Sequence, residues 1–75
     1  MRYASGDSVE IGDSVRLEGG ARGVVVGLIA TAAYAPPYNA KEWEYLGSGV
    51  LVEAEDAGLS HYEVPNREWV LVARR

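Results

Sequence analysis

The chain has no cysteine and no phenylalanine, and it carries a single histidine, His61. Without cysteine there are no disulfide staples and no thiolate metal sites. One histidine excludes a multi-histidine centre. Apolar runs are short. The longest stretch, around Val24-Val25-Val26 and on to Ile29, has strand length and falls far below a membrane span. The opening residues Met1 to Ser5 show no long apolar segment, so no signal peptide is expected in this sequence. A cytoplasmic location is the expectation for such a chain. Basic residues are also outnumbered, 7 Lys and Arg against 11 Asp and Glu, for a net charge of −4. A domain of that sign repels phosphate backbones at long range and steers basic partners toward itself.

What remains is enough for one domain. The hydrophobic fraction of 48% is too high for disorder, and with no phenylalanine the aromatic packing must rest on five tyrosines and two tryptophans. Seventy-five residues bury only about 60% of the surface of the unfolded chain, so the margin of stability is small. The abundance of valine favours strands.

Turn signals divide the chain into short apolar pieces, the spacing of an all-β domain. After residues 1–6, expected to be mobile, Gly12-Asp13 predicts a turn. It launches a strand from Ser14 to Glu18, with Val15 and Leu17 on one face and Ser14, Arg16 and Glu18 on the other. Gly19-Gly20-Ala21 predicts a tight hairpin. The second strand, about Arg22 to Ala30, is nearly continuously apolar, and Gly23 and Gly27 within it suggest a bulge or sharp bend. Val50 to Ala54 predicts the third strand, and Glu55-Asp56-Ala57-Gly58 a turn. Leu59 to Val64 is the fourth strand, and Trp69 to Val72 the fifth after a break at Pro65-Asn66. Arg74-Arg75 reads as a solvated tail.

Residues 31–47, between the second and third strands, differ in kind. Proline holds Ala35-Pro36-Pro37-Tyr38 extended or turned. Asn39 then offers an N-cap, with Glu42 three residues on, for a short helical piece leading to Leu46. Tyr45 or Leu46 would pack downward while Glu42 and Glu44 stay in water. A connection this long is more than the strands require, and long structured loops are often functional.

The segment Gly12-Asp13-Ser14-Val15-Arg16-Leu17-Glu18-Gly19-Gly20-Ala21-Arg22-Gly23-Val24-Val25-Val26-Gly27 resembles the opening hairpin of KOW-type and related SH3-like barrels. Such modules often begin with a Gly-Asp-x-Val strand and mark the second strand with glycine. The resemblance implies a five-stranded SH3-like barrel with a long insertion, containing a short helical turn, between strands 2 and 3. The fold hosts ribosomal, transcriptional and protein-binding roles, so it does not select among them. The chain departs from nucleic-acid-binding members in lacking basic loops. It also resembles small standalone bacterial proteins of no named family. Some immunity proteins, which neutralise secreted toxins, are similarly small, acidic and single-domain.

No catalytic or metal-binding constellation stands out, and no cofactor is expected. His61 on its alternating strand has no evident partner for general acid–base work. Gly19-Gly20 and Gly23 are followed by neither a helix start nor Lys-Ser or Lys-Thr, so they predict turns and not a phosphate cradle. The acidic run Glu53-Ala54-Glu55-Asp56 supplies too few ordered oxygens for calcium.

The expected function is therefore a non-enzymatic protein-binding module, a small inhibitor, immunity protein or regulatory partner. The candidate partner-binding residues are Tyr34, Tyr38, Trp43 and Tyr45, supported by Glu53, Glu55 and Asp56. Tyrosine and tryptophan give large contact area with few torsions, and the carboxylates would attract a basic protein. The alternatives are a KOW-like nucleic-acid or ribonucleoprotein module, drawing on scattered Arg16, Arg22, Arg67, Arg74 and Arg75, and a small subunit of a larger enzyme complex.

Overall fold

The computed structural model describes residues 1–74. It is mostly β, with six strands and one short helix: β1 (Ser14–Arg16), β2 (Arg22–Leu28), β3 (Ala33–Tyr34), α1 (Ala40–Trp43), β4 (Val50–Ala54), β5 (Gly58–Tyr62) and β6 (Val70–Ala73). All pairings are antiparallel, in the order β5-β4-β2-β1-β6, and β3 adds to the far half of β2. β5 and β6 are each paired on one side only, so among the described residues no ladder closes the sheet. Five strands were expected. The sixth, β3, is a two-residue strand inside the insertion, where Ala33 and Tyr34 pair with Leu28 and Gly27.

Alternation sets the inner face. Val15 and Leu17 from β1 and its extension meet Val25, Val50, Val52 and Ala54, and Tyr3, Val9 and Trp69 complete this main core. Tyr3 lies in the segment expected to be mobile, yet it is only 3% exposed. A backbone loop holds it there: Tyr3 N–H donates to the Asp7 carbonyl at 2.9 Å, and Arg2 bridges to Ser8. The Gly12-Asp13 turn forms as expected, with Gly12 at φ 91° and its N–H on the Val25 carbonyl.

The hairpin at Glu18–Gly20 is one turn of 3₁₀ helix with Gly19 and Gly20 at positive φ. Glu18 in that turn reaches across to the opposite end of the sheet. It accepts from Trp69 Nε1 at 2.6 Å and from the Tyr62 hydroxyl at 3.4 Å, and the two rings meet edge-to-face at 4.8 Å. Tyr62 ends β5 and Trp69 precedes β6. Side chains thus span the gap that backbone pairing leaves open.

Gly23 and Gly27 have steric reasons. A Cβ on Gly23 would lie 2.6 Å from Val52 Cγ1 and 3.1 Å from Leu17 Cδ1. Val52 is fully buried and β-branched, so it has no rotamer into which to retreat. Gly23→Ala is expected to lower stability by about 1–3 kcal/mol through overpacking, read as a shifted urea midpoint at constant m-value. Gly27 faces Leu51 and Tyr34 beside a break in register between Val25 and Gly27, the bulge its position suggested. Alternation puts Val25 in the main core and Val26 on the other face, and the bulge shifts the phase after it, so that Leu28 packs against the main core and Ile29 joins Val26.

The C-terminal end departs from expectation. Arg74 is not a solvated tail residue: its Nε lies 3.0 Å from Asp13 Oδ1, and one guanidinium nitrogen donates to the Ser8 carbonyl at 2.6 Å. The buried carboxylate of Asp13 supplies the driving force, since a charge withdrawn from water must find a counter-charge. Arg75, the other half of the expected tail, lies outside the described residues.

Candidate protein-binding surface

The outer face of the sheet is divided in two. One half is covered by the insertion. Val26, Ile29 and Leu51 form a second buried cluster there, over which Tyr34, Ala35, Tyr38, Trp43, Leu46 and Leu59 pack. The capping pattern expected at Asn39 is present: its side chain accepts from Glu42 N–H at 3.2 Å and donates to the Glu42 carboxylate at 3.1 Å. This reciprocal pair starts α1, which runs into a 3₁₀ turn over Glu44–Leu46. Leu46 packs downward, Glu42 and Glu44 are exposed, and Gly47 at φ 80° ends the piece.

The four aromatic candidates therefore separate. Tyr34, Tyr38 and Trp43 are half-buried against the sheet, whereas Tyr45 is 75% exposed. Two donors in the covered layer, Tyr34 OH and Trp43 Nε1, are buried without a hydrogen-bond partner among the described residues. Each such group costs about 1–3 kcal/mol relative to a solvated one, so the insertion grips less firmly than its apolar contacts alone would imply.

The cover stops at Glu53. Tyr38 OH donates to Glu53 Oε2 at 2.6 Å, and this bond pushes the Tyr38 hydroxyl pKa upward, because ionising it would place two anions side by side. Beyond Glu53 the outer face is bare. Ser14, Val24 and Glu53 stand opposite one another on β1, β2 and β4, and Val24, Val70 and Val72 are exposed. A groove of about 260 Å³ lies here, lined by Ser14, Arg22, Gly23, Val24, Glu53, Ala54 and Glu55. Glu55 is held in it by the Arg22 backbone N–H, 3.1 Å from Oε1.

Of the acidic candidates, Glu53 and Glu55 thus share one groove, while Asp56 sits exposed in the β4–β5 turn. The sequence reading missed Ser14 and Val24 as parts of this surface. Their only signal was their outward phase on β1 and β2. Among the arginines, Arg16 and Arg22 are cross-strand neighbours, and Arg74 is committed to Asp13 and Glu10. His61 binds locally, its Nε2 2.9 Å from the Ser48 carbonyl. Among the described residues no helix is long and apolar enough to cross a membrane, and no three His, Asp or Glu side chains are grouped to hold a metal ion.

No protein-family model, curated protein or solved structure matches the chain.

Proposed function

We propose that the chain is a non-enzymatic protein-binding module on an SH3-like barrel frame, acting as a small inhibitor or regulatory partner of another protein. Connectivity supports the frame. β2, β4 and β5 form a meander, and the last strand returns to lie beside the first. The Tyr62–Trp69–Glu18 contacts then draw the two ends of the sheet together.

The observation that carries the function is the position of Tyr45. The turn that presents it is fixed at both ends, by the Asn39 cap and by Leu46 packed on the sheet, so the backbone that carries the exposed ring is ordered. An aromatic on an ordered backbone has only two torsions left to fix on binding, which is what makes tyrosine effective at interface centres. Tyr45→Ala should leave stability within about 0.5 kcal/mol of wild type, because the side chain touches little that is buried. In affinity capture from the native host, the same substitution should lower recovery of a specific bound protein about tenfold. Equal recovery by both proteins would remove Tyr45 from the interface and the proposal's main support.

One observation favours a nucleic-acid module instead: the Arg16–Arg22 cross-strand pair sets two cations on one outer face. That reading predicts binding of single- or double-stranded nucleic acid that weakens steeply with salt. Absence of such binding leaves the protein-binding reading.

A further inference from the structure

We infer that the groove between Val24 and Glu53–Glu55 receives a lysine or arginine side chain from a basic segment of the partner protein. This rests on the protein-binding reading above and specifies its chemistry. Both carboxylates are oriented in advance, Glu53 by the Tyr38 hydroxyl at 2.6 Å and Glu55 by the Arg22 N–H at 3.1 Å. Each bond occupies one oxygen and leaves the other without a hydrogen bond among the described residues. Neither carboxylate is neutralised: the ion pairs among the described residues are those of Arg74 with Glu10 and Asp13. The groove therefore holds two fixed carboxylates against one arginine, Arg22, in a chain of net charge −4.

Its floor suits the rest of such a side chain. Val24 is 39% exposed, and Gly23 and Ala54 beside it, whose Cβ positions face the core, line the groove with backbone only. Lysine and arginine lay their methylene stems along apolar surface while keeping the charged head beside a polar group. Val70 and Val72 continue the apolar surface on the far side of β1, so residues flanking the cation in an extended segment also find apolar contact.

The test titrates the full-length ¹⁵N-labelled protein with three short peptides: acetyl-Val-Lys-Val-amide, its Nε-acetylated lysine form, and acetyl-Val-Glu-Val-amide. The lysine peptide should shift the amide signals of Ser14, Val24 and Glu53 saturably. Binding should weaken about three- to tenfold on acetylation of the lysine, and by a similar factor in Glu53→Gln/Glu55→Gln. Glutamine keeps an acceptor for Tyr38 and for the Arg22 N–H, so the double variant loses charge and not the fold. Raising salt from about 0.1 M to about 1 M shortens the Debye length from about 10 Å to about 3 Å and should also weaken binding. The inference is overturned by a lysine peptide that gives no saturable shift, by equal or tighter binding of the glutamate peptide, or by affinity unchanged in the double variant. Shifts centred on Tyr45 would overturn it too while leaving the broader protein-binding reading intact. Loss of partner capture on Tyr45→Ala together with an empty groove would show the same separation.

Discussion

Asp13→Ala is expected to destabilise the domain by about 2–4 kcal/mol, because a fully buried acceptor is taken from several donors at once. A chain of this length holds roughly 4–11 kcal/mol in total, so much of the population should unfold at modest temperature. Asp13 is fully buried and is the joint of the molecule. Its Oδ2 accepts from the Tyr3 hydroxyl at 2.7 Å and from Glu10 N–H at 3.0 Å, and its Oδ1 accepts from Arg74 Nε at 3.0 Å. One carboxylate thus ties the N-terminal loop, the turn before β1 and the end of β6. Alanine leaves the buried Tyr3 hydroxyl and the Glu10 N–H without their acceptor, and these losses set the size of the effect, since Arg74 is 37% exposed and keeps the Ser8 carbonyl. Asp13→Asn keeps the shape and one acceptor oxygen, so it should fall between wild type and alanine.

The same cluster shapes the pH dependence. Burial acts to raise the Asp13 pKa, but hydrogen bonds from Arg74, Tyr3 and the Glu10 N–H outweigh it and hold the carboxyl below its usual value. The folded state therefore binds this proton less readily than the unfolded chain does. The stabilisation is complete above the ordinary carboxylate range, near pH 4, and is lost as pH falls through the lowered folded value. Glu18, lowered chiefly by the Trp69 Nε1–H bond, adds to the acid limb in the same sense. Tyr3 acts at the other end. Burial and its bond to Asp13 raise its pKa, so its contribution is present below about pH 10 and is lost as pH rises through the raised value. Thermal midpoints measured from acid to alkaline pH should give a plateau with both limbs, and Asp13→Asn should flatten the acid one. An acid limb of unchanged depth in that variant would show that Asp13 is not its source.

This joint was only half legible in the sequence. Gly12-Asp13 is recognisable as a turn before an alternating strand, because positive φ at glycine and the period of two are local properties. That Asp13 points inward, and that Tyr3 and Arg74 converge on it, depends on contacts over 10 and 61 residues of sequence, which no local pattern encodes. The same division runs through the surface. Asn39 and Glu42 could be paired from spacing alone, and the limits of β4 follow from its apolar run and flanking turns. Which aromatic rings of the insertion face the sheet could not be read, since Tyr34, Tyr38, Trp43 and Tyr45 have no regular period. The groove was invisible for a different reason. It lies where the cover provided by the insertion stops, and its outward side chains, Ser14, Val24 and Glu53, come from three strands that only cross-strand pairing brings together.

Leu51→Ala should cost about 2–5 kcal/mol, with its effect concentrated on the insertion. Val50, Leu51 and Val52 are all fully buried, although a strand with one face in water would expose the middle residue. Leu51 is buried because residues 31–47 lie over it: it pairs with Gly27 across the sheet and anchors the layer of Tyr34, Tyr38, Trp43 and Leu46. Val50 and Val52 belong to the main core on the opposite face and keep their contacts in the variant. The two buried donors without partners, Tyr34 OH and Trp43 Nε1, regain water once the layer lifts, which lowers the cost of releasing it. Hydrogen exchange should therefore accelerate over residues 33–46 well before it does in β1, β2 and β4, giving two cooperative units where the wild type has one. A uniform acceleration across all strands would mean instead that the insertion and the main core unfold only together. Because Tyr45 is presented by the insertion and Glu53 is held by Tyr38, release of this layer should also disperse the binding surface. Leu51→Ala is then expected to lose partner capture at temperatures where β1, β2 and β4 remain protected.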